Sequence, residues 1–231
     1  MEIPIRISNF FYLSCDYIMD DLKLLKQIQK LKDSDIRQKI GRRISEFKSL
    51  GKKSDVILFS ELCFCILTAN FTAEKTIKIQ NEIGSSGFLN LPERKLANKL
   101  KSLGHRYPNT RAKYIVEARK FAKNLGQLVK SQKTDIEARE FFAENVKGLG
   151  YKEASHFLRN IGFENLAIID FHILDLLAKH NLIKKPKTKS LTKKNYLEFE
   201  KILSNLSKKV SLNLAELDVY LWLLETGKVL K

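Results

Sequence analysis

The sequence is short of acid. Its 231 residues carry 26 Asp and Glu against 42 Lys and Arg, a formal net charge of +16. Such an excess costs self-repulsion in a compact fold, and a polyanionic partner commonly accounts for it. A lysine-rich proteome with no nucleic-acid role is the plainer alternative. Cysteine is scarce as well: Cys15, Cys63 and Cys65 all lie in the first third. Cys63-x-Cys65 is too tight for ordinary zinc-ligand spacing, and no Cys or His pair follows to complete a site. With Leu62, Phe64 and Ile66 as neighbours, these read as buried free thiols of a reducing compartment. No apolar run reaches the roughly 18 residues that a membrane span needs. The opening MEIPIRISNFFYLSCDYIM has one early Arg and is interrupted by Asp16, so it makes a poor signal peptide. Met19 is a candidate start, which leaves residues 1–18 as an appendage with no assigned role. Strand alternation is missing beyond residues 3–7, and there is no internal repeat.

What is present, from Asp20 onward, is helical periodicity. The length suffices for one substantial core or for two lobes sharing one. Leu22, Leu25 and Ile28, then Ile36, Ile40, Ile44 and Phe47, recur every three or four residues until Gly51. Ser54 is the expected N-cap of a helix over Asp55–Asn70, apolar on nearly every side and so central. Thr72 is expected to cap a helix through Ile79. Pro92 opens a helix that Gly104 closes, and Asn109 or Thr110 starts another bearing Ala112, Ile115, Ala118 and Ala122, with Gly126 after it. Asp135 begins the next. A helix follows Asp170 to about His180, then comes a lysine-rich loop over 184–194, which reads first as a solvated loop. Two more helices carry Tyr196, Phe199, Leu203 and Leu206, and Leu214, Leu217, Leu221 and Leu224, the last capped by Gly227. The fold class is all-α.

The stretch Val146–Asp170, VKGLGYKEASHFLRNIGFENLAIID, organises the rest. A helix, a Gly148-Leu149-Gly150 hairpin and a second helix present backbone N–H groups to a phosphate. Ala154, Phe157, Leu158 and Ile161 form the buried stripe of the second helix, and Gly162 stops it. Lys152 then lies in the first turn, off that stripe. The positive end of the helix and the like charge of Lys147 both push it toward the neutral amine that a nucleophile must be. Ten helical residues advance about 15 Å, and the eight residues from Gly162 to Ile169 span up to about 26 Å. Asp170 can therefore return to Lys152. It reads either as a plain N-cap or as an acid paired with that lysine.

These segments resemble the helix-hairpin-helix and Gly/Pro-Asp signature of the base-excision DNA glycosylase superfamily. Residues 62–75 (LCFCILTANFTAEK), Gly104-His105-Arg106-Tyr107 through Asn109, Tyr114–Arg119 and Leu221-Trp222 through Lys231 resemble its largely archaeal second family of 8-oxoguanine DNA glycosylase/AP lyases. The resemblance covers roughly residues 20–231, leaving 1–19 as an N-terminal extension. It implies a two-lobed fold with the active site between the lobes and the hairpin at 146–152. It also implies that Lys152 attacks C1′ and forms a Schiff base, and that Asp170 stabilises the cationic sugar. By the same resemblance Lys231 distinguishes 8-oxoguanine from guanine, and Trp222 and Tyr107 face the extruded base. The bare periodicity leaves Trp222 equally open to core packing. The implied partner is double-stranded DNA containing 8-oxoguanine, held through Gly148, Leu149 and Gly150, in places through a monovalent cation. No cofactor, catalytic metal or membrane is expected, and the enzyme is read as an intracellular, nucleoid-associated monomer. Iron–sulfur relatives carry four cysteines near the C-terminal end, which this chain lacks. Relatives without the lysine are monofunctional, and the larger eukaryotic type has a β-domain for which there is no room. Two alternatives stay open: the same fold acting on another damaged base, and a non-catalytic DNA-binding module.

Overall fold

The structure is a computed structural model that describes residues 12–188 and 191–231, with side chains from Asp21 onward. The strand expected at 3–7, the candidate start at Met19 and Cys15 thus fall outside the residues or side chains described. Among the described residues the chain forms α-helices and one short 3₁₀ turn, with no strand. In order these are α1 (Tyr12–Lys32), α2 (Ile36–Leu50), α3 (Asp55–Thr68), α4 (Ala73–Asn90), α5 (Glu93–Ser102), α6 (Pro108–Ala118), α7 (Leu125–Lys130), α8 (Asp135–Asn145), α9 (Tyr151–Asn160), α10 (Phe171–Lys179), α11 (Lys193–Lys209) and α12 (Leu214–Thr226). No helix among these residues is long and apolar enough to cross a membrane.

Two hydrophobic cores divide them. One gathers Leu58–Leu67 of α3, Phe88, Leu100, Ile115, Phe142 and Phe157, so α3 through α9 form a lobe from contiguous sequence. The other joins Leu24, Ile28, Ile40 and Phe47 to Ile173, Leu177, Leu203, Leu217 and Leu221, so the two ends of the chain meet in a second lobe. The apolar run of α3 explains its place: residues 58–68 are all buried, as an all-round hydrophobic helix requires. Cys63 and Cys65 are fully buried there, and burial pushes both thiols well above their ordinary range.

Several boundaries differ from the sequence pattern, each for a local reason. α1 begins ahead of Asp20, so the helical path crosses the boundary drawn there. α4 does not stop at Ile79; it continues to Asn90 across a kink at Gly84, whose φ of +66° is open to glycine at no cost. The helix expected from Asn109 begins at Pro108 and ends at Ala118, where a 3₁₀ turn over Arg119–Phe121 takes over. Gly126 is not a stop but lies inside α7, and its N–H donates to Asp55 Oδ1 at 2.7 Å. A Cβ there would stand 3.0 Å from that carboxylate, so glycine serves close approach rather than termination. Ser54 and Thr72 occupy N-cap positions without a capping side-chain bond.

Candidate active site

The hairpin is built as its glycines suggest. Gly148 sits at φ +90°, and a Cβ there would meet Tyr114 Cδ2 at 2.5 Å. Leu149 is buried and its N–H bonds to the Val146 carbonyl at 3.1 Å, closing the turn. Gly150 is the N-cap of α9, and its N–H donates to Glu153 Oε2 at 3.1 Å. The two glycines thus do different jobs. Gly148 supplies a left-handed residue under an aromatic ring, and Gly150 starts the helix.

Lys152 stands in the first turn of α9, partly exposed, with Glu153 Oε1 3.7 Å from its ammonium. The like charge expected from Lys147 is absent from its side, because Lys147 pairs with Glu117 at 3.0 Å instead. The predicted stripe Ala154, Phe157, Leu158 and Ile161 is buried. So are Ser155, His156, Arg159 and Asn160, because α9 lies between the lobes and is covered on both sides. Lys152, His156 and Arg159 fall at i, i+4 and i+7 and share one polar face. Among the described residues neither His156 ring nitrogen makes a hydrogen bond of good geometry, although the Lys231 backbone lies close enough to oppose the shift; burial, with the charges of Arg159, Lys152 and Lys231, drives its pKa well below the usual histidine range. Its ring meets Phe64 edge-on at 5.7 Å.

Asp170 caps α10, its Oδ1 accepting the Ile173 N–H at 3.0 Å. The segment before it is extended and buried, so its backbone needs partners that no sheet supplies. Side chains of α11 supply them: Tyr196 donates to the Ala167 carbonyl at 2.7 Å, and Glu200 accepts the Ala167 N–H at 2.9 Å. Glu200 is in turn held by the fully buried Arg139 at 2.5 Å. Asp170 is therefore delivered by a fixed strut rather than by a loose loop.

Lys152 and Asp170 both act by charge on a second acid, one that the sequence pattern does not single out. Asp218 of α12 is buried, pairs with Arg159 at 3.3 Å, and feels the charges of both Asp170 and Lys152. Burial pushes its carboxyl from 3.8 up to about 6, with Arg159 opposing and Asp170 adding to the rise. Arg159 shifts downward from the same cause, so desolvation outweighs their attraction on both sides. A carboxyl raised on folding favours the folded state fully below the unfolded value and loses that contribution as pH rises through the folded one. Melting temperatures measured between pH 4 and 7 should therefore carry a slope from this group, and Asp218→Asn should flatten it. An unchanged slope in the variant would remove Asp218 as its source.

Trp222 lies one turn beyond Asp218 on α12, half-buried, with its Nε1 lacking a hydrogen-bond partner among the described residues. His172 meets its ring edge-on at 5.0 Å, and the exposed Phe171 stacks on His172 at 4.0 Å. Lys231 reaches back across the cleft from the lobe of α12. Its ammonium bonds Glu61 Oε2 at 2.8 Å and Gln80 Oε1 at 2.6 Å, and stands 4.1 Å from the Phe64 ring centre. Lys228, three residues earlier, pairs with Glu74 of α4. Tyr107 is placed apart: it is exposed at the N-cap of α6, its N–H donating to His105 Nδ1 and Arg106 lying over its ring. Among the described residues no hydrogen bond or ring contact joins it to Trp222 or Lys231. Glu61, Gln80, Arg159 and Asp218 escaped notice because each sits in a helix whose pattern reads as core. The available signals are Glu61 as the one acid within the apolar stretch 56–68 of α3, and the polar i, i+4, i+7 spacing on α9. Among the described residues no group of three or more His, Cys, Asp or Glu is placed to hold a metal ion.

Known proteins are similar to this chain in sequence and in fold. The 8-oxoguanine DNA glycosylase family model matches residues 40–212. The chain is 55% identical over 211 residues to the 8-oxoguanine DNA glycosylase/AP lyase of Methanocaldococcus jannaschii, covering 91% of this chain and 100% of that one. Its counterpart from Korarchaeum cryptofilum is 51% identical over 213 residues, with coverage of 92% and 99%. Among solved structures, the Methanocaldococcus jannaschii enzyme in complex with a 15mer DNA containing 8-oxoguanine superposes with a TM-score of 0.87 at 54% identity, over 90% of this chain and 100% of that one. The Thermotoga maritima 8-oxoguanine DNA glycosylase gives 0.85 at 45%, over 91% and 100%.

Proposed function

The chain belongs to the 8-oxoguanine DNA glycosylase family, and on that premise we propose that it excises 8-oxoguanine from duplex DNA and then cuts the abasic strand. The observation that carries this reading is that Lys152, in the first turn after the hairpin, and Asp170, capping α10, both act by charge on the buried Asp218. Lys152, as the free amine, attacks C1′; the glycosidic bond breaks and the base departs with the bonding electrons. Asp170 offsets the positive charge that develops on the sugar. Opening of the sugar ring leaves an iminium between Lys152 and C1′. Loss of the C2′ proton then expels the 3′ phosphate with its electron pair and nicks the strand. Trp222 offers a face to the extruded base, as flipping requires; Tyr107 joins it only if the loop before α6 moves inward on binding. The enzyme acts as a monomer within the cell, on the chromosome, and residues 1–19 are an extension outside the catalytic domain of 20–231.

Neither the Gly148 nor the Leu149 carbonyl accepts a backbone hydrogen bond among the described residues. Such oxygens suit a monovalent cation, which would supply positive charge toward a DNA phosphate. Neutral backbone and surface Lys and Arg give sequence-blind, salt-sensitive affinity. Gly148→Ala should cost about 1–3 kcal/mol in stability, from the left-handed φ and the Tyr114 collision. It should also weaken duplex binding at every salt concentration. Chemical denaturation and fluorescence anisotropy read the two effects, and a variant unchanged in both would remove the hairpin from the binding site.

The direct test is borohydride reduction during turnover on an 8-oxoguanine duplex. Hydride reduces the iminium carbon and leaves a stable amine bond, so a covalent protein–DNA adduct is expected together with a nicked strand. Binding without adduct or nick would leave a DNA-binding module; an adduct formed faster on another damaged base would change the substrate.

A further inference from the structure

Glu61 is in an unfavourable place for an acid. It lies at the middle of α3, 2% exposed, within a run of eleven buried residues. Burial of a carboxylate there is costly unless a cation and further donors compensate, and an apolar residue would serve folding better. The donors come from three directions. Asn160 of α9 donates to Oε1 at 2.6 Å, Gln80 of α4 lies 3.3 Å from Oε2, and Lys231 donates to Oε2 at 2.8 Å. Only the last is a cation, and it arrives from the other lobe across 170 residues of sequence.

The receptor for that ammonium is complete. Glu61 and Gln80 accept two of its N–H bonds and the Phe64 ring faces the charge at 4.1 Å. Gln80 is itself oriented, its amide donating to the Ser60 carbonyl at 2.9 Å. The Lys231 side chain is only 18% exposed, so its head is fixed rather than free in solvent. With the head pinned, the main chain of residue 231 is held beside His156, within the polar face that carries Lys152.

We infer that Glu61 is a positioning residue for base discrimination, acting through Lys231, with Gln80 and Phe64 completing the seat. The inference rests on the reading of Lys231 as the residue that separates 8-oxoguanine from guanine. That separation turns on one N–H at N7 of the lesion, so a displaced recognition group loses it steeply.

The test compares Glu61→Gln, Lys231→Met and the double variant in the full chain. Each is assayed for single-turnover excision of 8-oxoguanine, for excision of guanine, and for strand cutting at a preformed abasic site. Glu61→Gln is expected to lower 8-oxoguanine excision on the order of tenfold more than abasic cutting, with the double variant no worse than Lys231→Met. Equal losses on both substrates with a lowered melting temperature would reduce Glu61 to a structural role. Additive losses in the double variant would show that it does not act through Lys231. Should Glu61→Gln fail to fold, the half-buried Gln80→Leu must show the same selective loss, and a Gln80→Leu protein of native selectivity overturns the inference. A wild-type protein without preference for 8-oxoguanine over guanine would instead sink the functional reading beneath it.

Discussion

Lys152→Gln leaves a protein that binds an 8-oxoguanine duplex but is not trapped on it by borohydride. The substitution keeps a polar side chain of similar length in the first turn of α9, where Lys152 is only partly buried and its nearest charge is Glu153 at 3.7 Å. Stability should barely change, since at 3.7 Å the partly buried pair makes no hydrogen bond that the substitution would remove. The amide nitrogen is not nucleophilic, so no bond to C1′ forms and no iminium follows. Loss of a covalent nucleophile commonly removes activity on the order of a thousandfold or more, and here both base release and strand cutting fall together. Trapping, gel-resolved nicking and anisotropy on one preparation separate chemistry from binding. An adduct that persists in the variant would mean that another amine attacks.

Asp170→Asn is the second large effect, and its value lies in what it spares. Asparagine is as good an N-cap as aspartate, so the bond to the Ile173 N–H and the start of α10 should survive. What goes is the charge that the proposed mechanism sets against the developing sugar cation. Removal of such a preorganised electrostatic group typically costs on the order of a hundred- to a thousandfold in rate. Asp170→Ala should match that rate loss and add about 1 kcal/mol of instability from the lost cap. The two readings of Asp170 left open by the sequence, cap and catalyst, are thereby separated: the melt reports the first and single-turnover excision the second. If Asn retains the native rate, Asp170 is a cap alone.

Much of this is legible in the sequence. Gly148 and Gly150 mark the hairpin, the stripe Ala154–Phe157–Leu158–Ile161 is buried, Asp170 caps α10 and Gly227 ends α12 at φ +73°. These are local consequences of backbone geometry and periodicity. The resemblance to the second glycosylase family likewise agreed with the comparisons. What stayed hidden was long-range. A period of 3.6 assigns one buried face to α9, but the helix is covered by both lobes and buries Arg159 and Asn160 as well. Glu61 is invisible as a functional candidate because its run reads as core; only the arrival of Lys231 explains it. Gly126 reads as punctuation because the pattern cannot display Asp55 approaching from a helix far back in the chain. Nor does a local pattern reveal that Tyr196, Glu200 and Arg139 prop the extended stretch before Asp170.

The way the two cores divide the chain has a consequence for how the enzyme comes into being on the ribosome. The lobe of α3 to α9 is made from uninterrupted sequence, so it can condense while the remainder is still being translated. It then already carries the hairpin and Lys152. The other lobe waits, since α1 and α2 have no core until α10, α11 and α12 emerge. Asp218 and Lys231 follow only after the lobe of α3 to α9 is made. A chain interrupted before α12 thus carries Lys152 without Asp218 and without the wall that α12 provides. Assembly of the cleft therefore waits on the second lobe, well after the hairpin has been made.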